Sequence, residues 1–313
     1  MNDFHTPVML AKCVEYLRPQ AGGVYVDATI GGGGHSLGLF AACKDIKVFG
    51  FDQDPEAIER AKEALAGYED NLELIQANFS RLRTELALRK VKAIDGALFD
   101  LGVSSHQLDT RERGFSFDAD APLDMRMDQS SKYTAADAVA ELSQAELAKI
   151  FREYGEDLDA GRVAARIVKE REARHLKTTG DLARVIESVA GKGTKESLKT
   201  KVRIFQALRI HVNRELKVLE PALKDIINIL KPGGRIVVMS YHSLEDRVVK
   251  NVFRSAATGC DCPPRAVICS CGKKKQLELL TRKPLTADPA ETGDNVRSRS
   301  VRLRAAEKIM GET

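Results

Sequence analysis

Two β-like runs flank a four-glycine loop, and each of them ends in an acid. The first run is Val24-Tyr25-Val26-Asp27-Ala28-Thr29, followed by Ile30-Gly31-Gly32-Gly33-Gly34-His35-Ser36. The second is Lys47-Val48-Phe49-Gly50-Phe51-Asp52, which closes 21 positions after Gly31 (52 − 31). An apolar, β-branched run that breaks into glycines and restarts as a helix lets the backbone approach a ligand closely. An acid at the tip of the next strand is placed to accept hydrogen bonds from a ribose diol. Strand, glycine loop, helix, strand and acid together make half of a nucleoside-binding α/β fold. A glycine-rich turn with no ligand is the plainer alternative.

The dinucleotide fingerprint G-x-G-x-x-G/A does not fit this loop. Started at Gly31 it ends on Ser36, and started at Gly32 it ends on Leu37. The spacing Asp27-x-Thr29-x-Gly31-x-Gly33 fits better. It resembles the D-x-G-x-G-x-G loop of Rossmann-like methyltransferases, with threonine at the first glycine. S-adenosyl-L-methionine has no pyrophosphate for a helix N-terminus to hold. It carries a sulfonium and an ammonium, beside which carboxylates make sense. A nicotinamide cofactor remains the competing reading of the loop.

The β/α alternation continues beyond Asp52. Residues 55–66 read as a helix with Pro55 in its first turn. Leu72-Glu73-Leu74-Ile75-Gln76-Ala77 reads as a third strand with Asn78-Phe79 at its end, and residues 94–100 as a fourth, again ending in an acid. In an open parallel sheet, ligands sit outside the carboxyl ends of the strands, where Asp27, Asp52, Phe79 and Asp100 would gather. The next convincing strand, residues 235–240, starts 135 positions after Asp100 (235 − 100). A crossover needs only a few tens of residues, so roughly a hundred are extra. Residues 135–151, 160–174 and 181–189 are helical in period. The expected architecture is therefore a Rossmann-like α/β sheet domain over 1–129 and 201–313, with an all-helical domain inserted at 130–200. Residues 200–219 read as one amphipathic helix leading back to the sheet. Lys231-Pro232-Gly233-Gly234 reads as a turn before the fifth strand. Residues 277–280 and 301–305 read as the last strands, joined by a loop.

At 313 residues, with 43% hydrophobic and 30% charged content, the chain has material for two domains and a large core. No apolar run approaches a membrane span. Met1-Asn2-Asp3-Phe4-His5 lacks the features of a secretory leader, so the expectation is a cytoplasmic protein with no membrane partner. Net charge is only +4, but the basic residues cluster. Lys192, Lys195, Lys199, Lys201 and Arg203 form one group, Lys273, Lys274, Lys275, Arg282 and Lys283 a second, and Arg297, Arg299, Arg302 and Arg304 a third. Such runs are either solvated faces or a footprint for nucleic acid.

Nearly end to end, the chain resembles the bacterial RsmH (formerly MraW) family of methyltransferases, which modify the exocyclic N4 amine of a decoding-centre cytidine in 16S ribosomal RNA. The resemblance rests on His5-Thr6-Pro7-Val8, residues 31–36, Phe51-Asp52-Gln53-Asp54-Pro55 and residues 100–105. Residues 113–117, 122–128, 154–156, 205–210 and 240–247 complete it. One departure is Asn295-Val296-Arg297, where the family usually has proline after asparagine. The resemblance implies a class I methyltransferase fold and S-adenosyl-L-methionine bound through Gly33, Gly34, His35, Asp52, Phe79, Asp100 and Gln107. It implies small-subunit 16S rRNA as partner and the inserted helices as an RNA-binding cap. Asp52 would hold the ribose hydroxyls and Phe79 the adenine face, although a helix cap and a core residue are the ordinary readings of the two. His35 would face the donor or merely bond a neighbouring loop.

The chemistry sets a definite problem, because the lone pair of a cytosine amine is delocalised into the ring. Attack on the sulfonium methyl builds positive charge there, which a nearby acceptor stabilises before it takes a proton. Asp100 is the best-placed carboxylate, with Ser104 and His242 as further catalytic candidates and strand-end loops as their plain alternative. Ser105 and His106 are weaker candidates. Phe115 and Phe117 either stack bases or anchor the inserted domain. A target base in duplex must leave its stack to be reached. Cys260-x-Cys262-x6-Cys269-x-Cys271 holds four thiols in twelve residues. They could hold tetrahedral zinc, but common structural sites use C-x2-C, so reduced thiols without metal are the first reading and zinc the alternative. A small-molecule methyltransferase and a non-catalytic RNA-binding assembly factor are the alternatives. The oligomeric state stays open, a homodimer included.

Overall fold

The computed structural model describes residues 7–260, 262 and 270–310. Residues 1–6 and Cys269, on which some of the expectations above rest, lie outside the described residues. The chain forms two compact units, one from Met1–Gly102 with Leu216–Thr313 and the other from Val103–Glu215.

In chain order, α1 (Leu10–Leu17) precedes β1 (Gly23–Asp27), α2 (Gly34–Ala42), β2 (Ile46–Asp52), α3 (Pro55–Ala64), β3 (Leu72–Gln76), α4 (Leu82–Leu88) and β4 (Ile94–Asp100). The helical unit follows with α5 (Ser105–Asp109), α6 (Ala135–Glu141), α7 (Gln144–Glu153), α8 (Ala160–Ala173), α9 (Thr179–Ala190) and α10 (Lys195–Asn213). The chain returns through α11 (Glu215–Ile229) to β5 (Leu230–Ser240), then α12 (Ser243–Ala256), β6 (Leu277–Leu279), α13 (Pro289–Asp294) and β7 (Arg302–Lys308).

The sheet order is β3-β2-β1-β4-β5-β7-β6. The first five strands are parallel, and β7 runs antiparallel to both β5 and β6. This is the Rossmann-like, class I methyltransferase sheet anticipated above. Strand order reverses between β1 and β4, which opens a crevice at their carboxyl ends. Register sets the acids within it. Asp27 pairs with Gly50 on one side and Leu98 on the other, so Asp52 and Asp100 each stand two residues beyond it. The central strands are apolar in nearly continuous runs because both faces are buried. Val26, Phe49, Phe99 and Val238 pack on one face, and Tyr25, Val48, Leu98 and Val237 on the other. Residues 231–234 form the anticipated turn as a break in register within β5, with Gly233 left-handed at φ 80°.

The helical unit has its own core, built from α6 to α10. It encloses residues 130–200 and extends beyond them on both sides. Phe115, Leu123, Met125 and Met127 of the preceding connection are buried in it, as are Ile204, Phe205 and Leu208 of α10. Two helical boundaries differ from expectation. The stretch 135–151 is two helices, because Ser143 caps α7 in a reciprocal box with Glu146. The single helix expected over 200–219 breaks at Arg214, which is left-handed at φ 54°. Arg209 spans the break with paired hydrogen bonds to Glu215 of 2.9 and 2.8 Å. The loop expected before the last strand contains α13.

Candidate active site

The glycine loop is fastened at several points. Asp27, almost fully buried, accepts from Ser36 Oγ at 2.8 Å and from Thr29 N at 3.3 Å. Thr29 Oγ1 in turn accepts from Asp100 N at 2.7 Å, joining the loop to the tip of β4. Burial pushes the Asp27 carboxyl up, against the opposing pull of His35 and Ser36. Gly31 and Gly33 are left-handed, at φ 53° and 83°, where a side chain is strained. A Cβ on Gly32 would meet nothing within 4 Å, and one on Gly31 would meet only Thr29 O at 3.9 Å. A Cβ on Gly33 would approach Leu65 to 3.0 Å, and one on Gly34 would collide with Pro7 at 2.5 Å. The first two glycines therefore border open space, and the second two are glycine for packing.

Asp52 ends β2 with both carboxylate oxygens engaged. Oδ2 accepts from Gly31 N at 3.0 Å and Oδ1 from Asp54 N at 2.9 Å. Burial lifts this carboxyl to about 6, although the two N–H donors favour its ionised form. Asp54, next along, caps α3 through Glu56 N at 3.1 Å. Phe79 begins the short 3₁₀ turn after β3. It meets Phe99 edge-on with ring centroids 5.8 Å apart and is partly buried against the core.

His35 and Asp100 face each other. The buried His35 ring places Nε2 2.9 Å from Val8 O. A carbonyl only accepts, so Nε2 carries the proton. Nδ1 lies 3.6 Å from Asp100 Oδ2, which is long for a hydrogen bond but within electrostatic reach. Tyr241, just past β5, donates its hydroxyl to Asp100 Oδ1 at 2.7 Å. Burial pushes the Asp100 carboxyl up, His35 and the Tyr241 hydroxyl pull it down, and Glu245 adds to the rise. The Tyr241 phenol is held well above its ordinary value by burial and by Asp100.

His242 caps α12. Its Nδ1 accepts from Glu245 N at 3.4 Å, and Glu245 Oε2 accepts from Tyr241 N at 2.9 Å and His242 N at 3.4 Å. Nε2 lies 3.1 Å from Glu245 Oε1, yet its alignment does not make a hydrogen bond. The ring thus has a structural duty at a strand end. Ser104 and Gln107 belong to the helical unit. Ser104 caps α5, accepting from Gln107 N at 3.2 Å, and Gln107 Oε1 accepts from Ser104 N at 3.0 Å. Phe115 is buried, and Phe117 stands edge-on to Phe205 at 5.2 Å, so both anchor this unit.

The sheet unit therefore gathers His35, Asp52 and Asp100 about the glycine loop, while Ser104 and Gln107 sit together in the helical unit. Sequence reasoning passed over two participants. Tyr241 lies within the family match at 240–247, but only the adjacency of β4 and β5 brings its hydroxyl to Asp100. Thr29 stands where the methyltransferase loop has its first glycine, and its hydroxyl is the tie to β4.

The basic groups are partly consumed within the fold. Lys201 pairs with Glu187 at 3.0 Å and lies over the Phe117 ring. Buried Arg304 binds Asp246 at 2.6 Å. Among the described residues, no helix is long and apolar enough to cross a membrane.

A sequence model described as the MraW methylase family matches residues 2–309. The chain is 52% identical over 312 residues to "Ribosomal RNA small subunit methyltransferase H" of Geotalea uraniireducens, covering 99% of this chain and 100% of that one. It is 49% identical over 311 residues to the protein of that name in Geobacter sulfurreducens, with 99% and 100% covered. A solved rRNA methylase from Streptococcus thermophilus is 14% identical, with a TM-score of 0.42, over 96% of this chain and 94% of that one. Matched along almost its whole length at about half identity, the chain belongs to the MraW methylase family and is an S-adenosylmethionine-dependent methyltransferase.

Proposed function

We propose that the enzyme methylates the exocyclic N4 amine of a cytidine in the decoding centre of 16S ribosomal RNA, acting on the small subunit in the cytoplasm. The full-length likeness to small-subunit ribosomal RNA methyltransferases carries this reading. The sheet's carboxyl edge supports it chemically.

That edge suits the methyl donor. The open backbone at Gly31 and Gly32 leaves room for a close ligand, and a carboxylate stands beside it at Asp52. Asp52 would hold the ribose hydroxyls and Phe79 the adenine. Gly33, Gly34, His35 and Gln107 would complete the binding set. When bound, S-adenosylmethionine supplies an electrophilic methyl on sulfur. The protein's part is to make a poor nucleophile competent. Tyr241 donates to Asp100 Oδ1, which leaves Oδ2, the oxygen beside His35, as the acceptor for the amine. Oδ2 stabilises the charge that grows on the amine and accepts its proton. Ser104 helps to position the base, and His242 holds the Tyr241 loop through its cap. The helical unit serves as the RNA-binding part of the chain, for a base that must leave its stack.

Mass spectrometry of 16S rRNA nucleosides from cells lacking the enzyme tests this. Loss of methyl from the N4 position of one cytidine is expected, restored by the wild-type chain and not by Asp100→Ala. Unchanged spectra would refute the assignment. Tritiated methyl entering low-mass material instead of undermodified subunits would point to a small-molecule substrate.

A further inference from the structure

Past α12 the chain makes an excursion that closes on itself. Gln276 N donates to Ala256 O at 2.7 Å, so residues 257–275 leave and return at one point. Cys260, Cys262 and Cys271 converge within this excursion, their Sγ atoms all within 4.8 Å of one another. Cys260 Sγ and Cys271 Sγ are 3.7 Å apart. A disulfide requires about 2.05 Å, so none joins them.

Hydrophobic packing does not explain the cluster either. Thiols without a task are usually buried, yet Cys260 and Cys271 are exposed. The spacing has a specific meaning. Four ligands arranged tetrahedrally at about 2.3 Å from zinc place neighbouring sulfurs about 3.8 Å apart. The backbone adds a second sign, because Cys262 N donates to Cys260 Sγ at 3.3 Å. Outer hydrogen bonds of this kind orient thiolate ligands and stabilise their charge.

We propose that Cys260, Cys262 and Cys271 are ligands of a structural zinc ion that ties this loop, which follows the end of α12 opposite its His242 cap. The C-x-C spacing argued for plain thiols, but ligands are selected by distance in space, and here three meet. Cys269 lies outside the described residues, and the proposal rests on the other three. Each thiol that ligates releases its proton as the metal binds.

Elemental analysis of the full-length chain, purified without chelators, is expected to find about one zinc per chain. After metal removal, added cobalt(II) should produce thiolate charge-transfer bands and the visible bands of a tetrahedral site. Zinc should shield Cys260, Cys262 and Cys271 from alkylation in the wild-type chain, with Cys43 reacting alike with or without metal. Cys260→Ser, Cys262→Ser and Cys271→Ser should each bind zinc at least about tenfold more weakly, with circular dichroism and donor affinity unchanged. Zinc far below one equivalent together with no cobalt spectrum would overturn the proposal. So would unshielded thiols, serine variants that bind like the wild type, or a disulfide among these cysteines in the isolated protein.

Discussion

Asp52 fastens the glycine loop through Oδ2 and accepts from Asp54 N through Oδ1, and the proposed function gives it the ribose as well. Its carboxyl titrates at about 6 because burial outweighs the Gly31 and Asp54 donors. A folded value above the unfolded one means the ionised group costs stability, a cost relieved as pH falls through about 6. Ribose hydroxyls favour the carboxylate, so donor affinity should rise with pH through that same window and then level off. Asp52→Asn should flatten the profile and weaken donor binding by about 10–100-fold, read by titration calorimetry across the range. Tyr241 works through Asp100. Removing its hydroxyl removes a hydrogen bond that favours the Asp100 carboxylate, so the group must titrate higher. Tyr241→Phe should lower kcat by about tenfold, with little change in donor affinity, and move the acidic limb of the pH–rate profile upward. An unmoved limb would show that the contact is only structural.

Among elements, α12 and β7 are joined by a buried charge pair. Arg304 meets Asp246 at 2.6 and 3.2 Å, and Arg302 adds a contact of 3.1 Å. Burial opposes ionisation of Asp246, but the two arginines outweigh it and hold the carboxyl below its usual range. The stability this gives is present above the ordinary carboxylate range and is lost as pH falls through the depressed value. Asp246→Ala strands the buried Arg304 and should cost about 3–5 kcal/mol in denaturant unfolding near neutral pH, with a smaller deficit in acid. The pairing was not legible in sequence. Arg302 and Arg304 read as part of a basic run because their partner lies 56 and 58 positions away. The break at Arg214 was hidden for a related reason, since the apolar period runs through it unbroken and only the packing of α10 shows where one helix ends. The strands were legible, because an apolar run ending in an acid has one stable place in a sheet buried on both faces.

At the scale of the molecule, the sheet and helical units bury separate sets of residues. Separate cores permit separate cooperative transitions. Phe151, fully buried in the helical unit, tests this. Phe151→Ala should cost about 3–5 kcal/mol and lower one calorimetric transition, leaving the other in place. S-adenosylhomocysteine at about 100 times its Kd should raise the sheet unit's transition, by about 2.7 kcal/mol of stability. A single transition shifted by both would show that the two units unfold as one.

The chain's order of strands, glycine loop and acids by itself determined a Rossmann-like sheet with its carboxylates at one edge, because side-chain period and turn chemistry are local and act before any distant contact forms. Family motifs added the methyl donor and its nominal ligands. Tertiary structure alone decided which groups meet across strands: Tyr241 with Asp100, Thr29 with the tip of β4, Asp246 with Arg304, and three cysteines with one another. It also decided that His242 caps a helix and that Phe115 belongs to a core. Such pairings depend on register and chain reversal, which no local pattern of residues encodes.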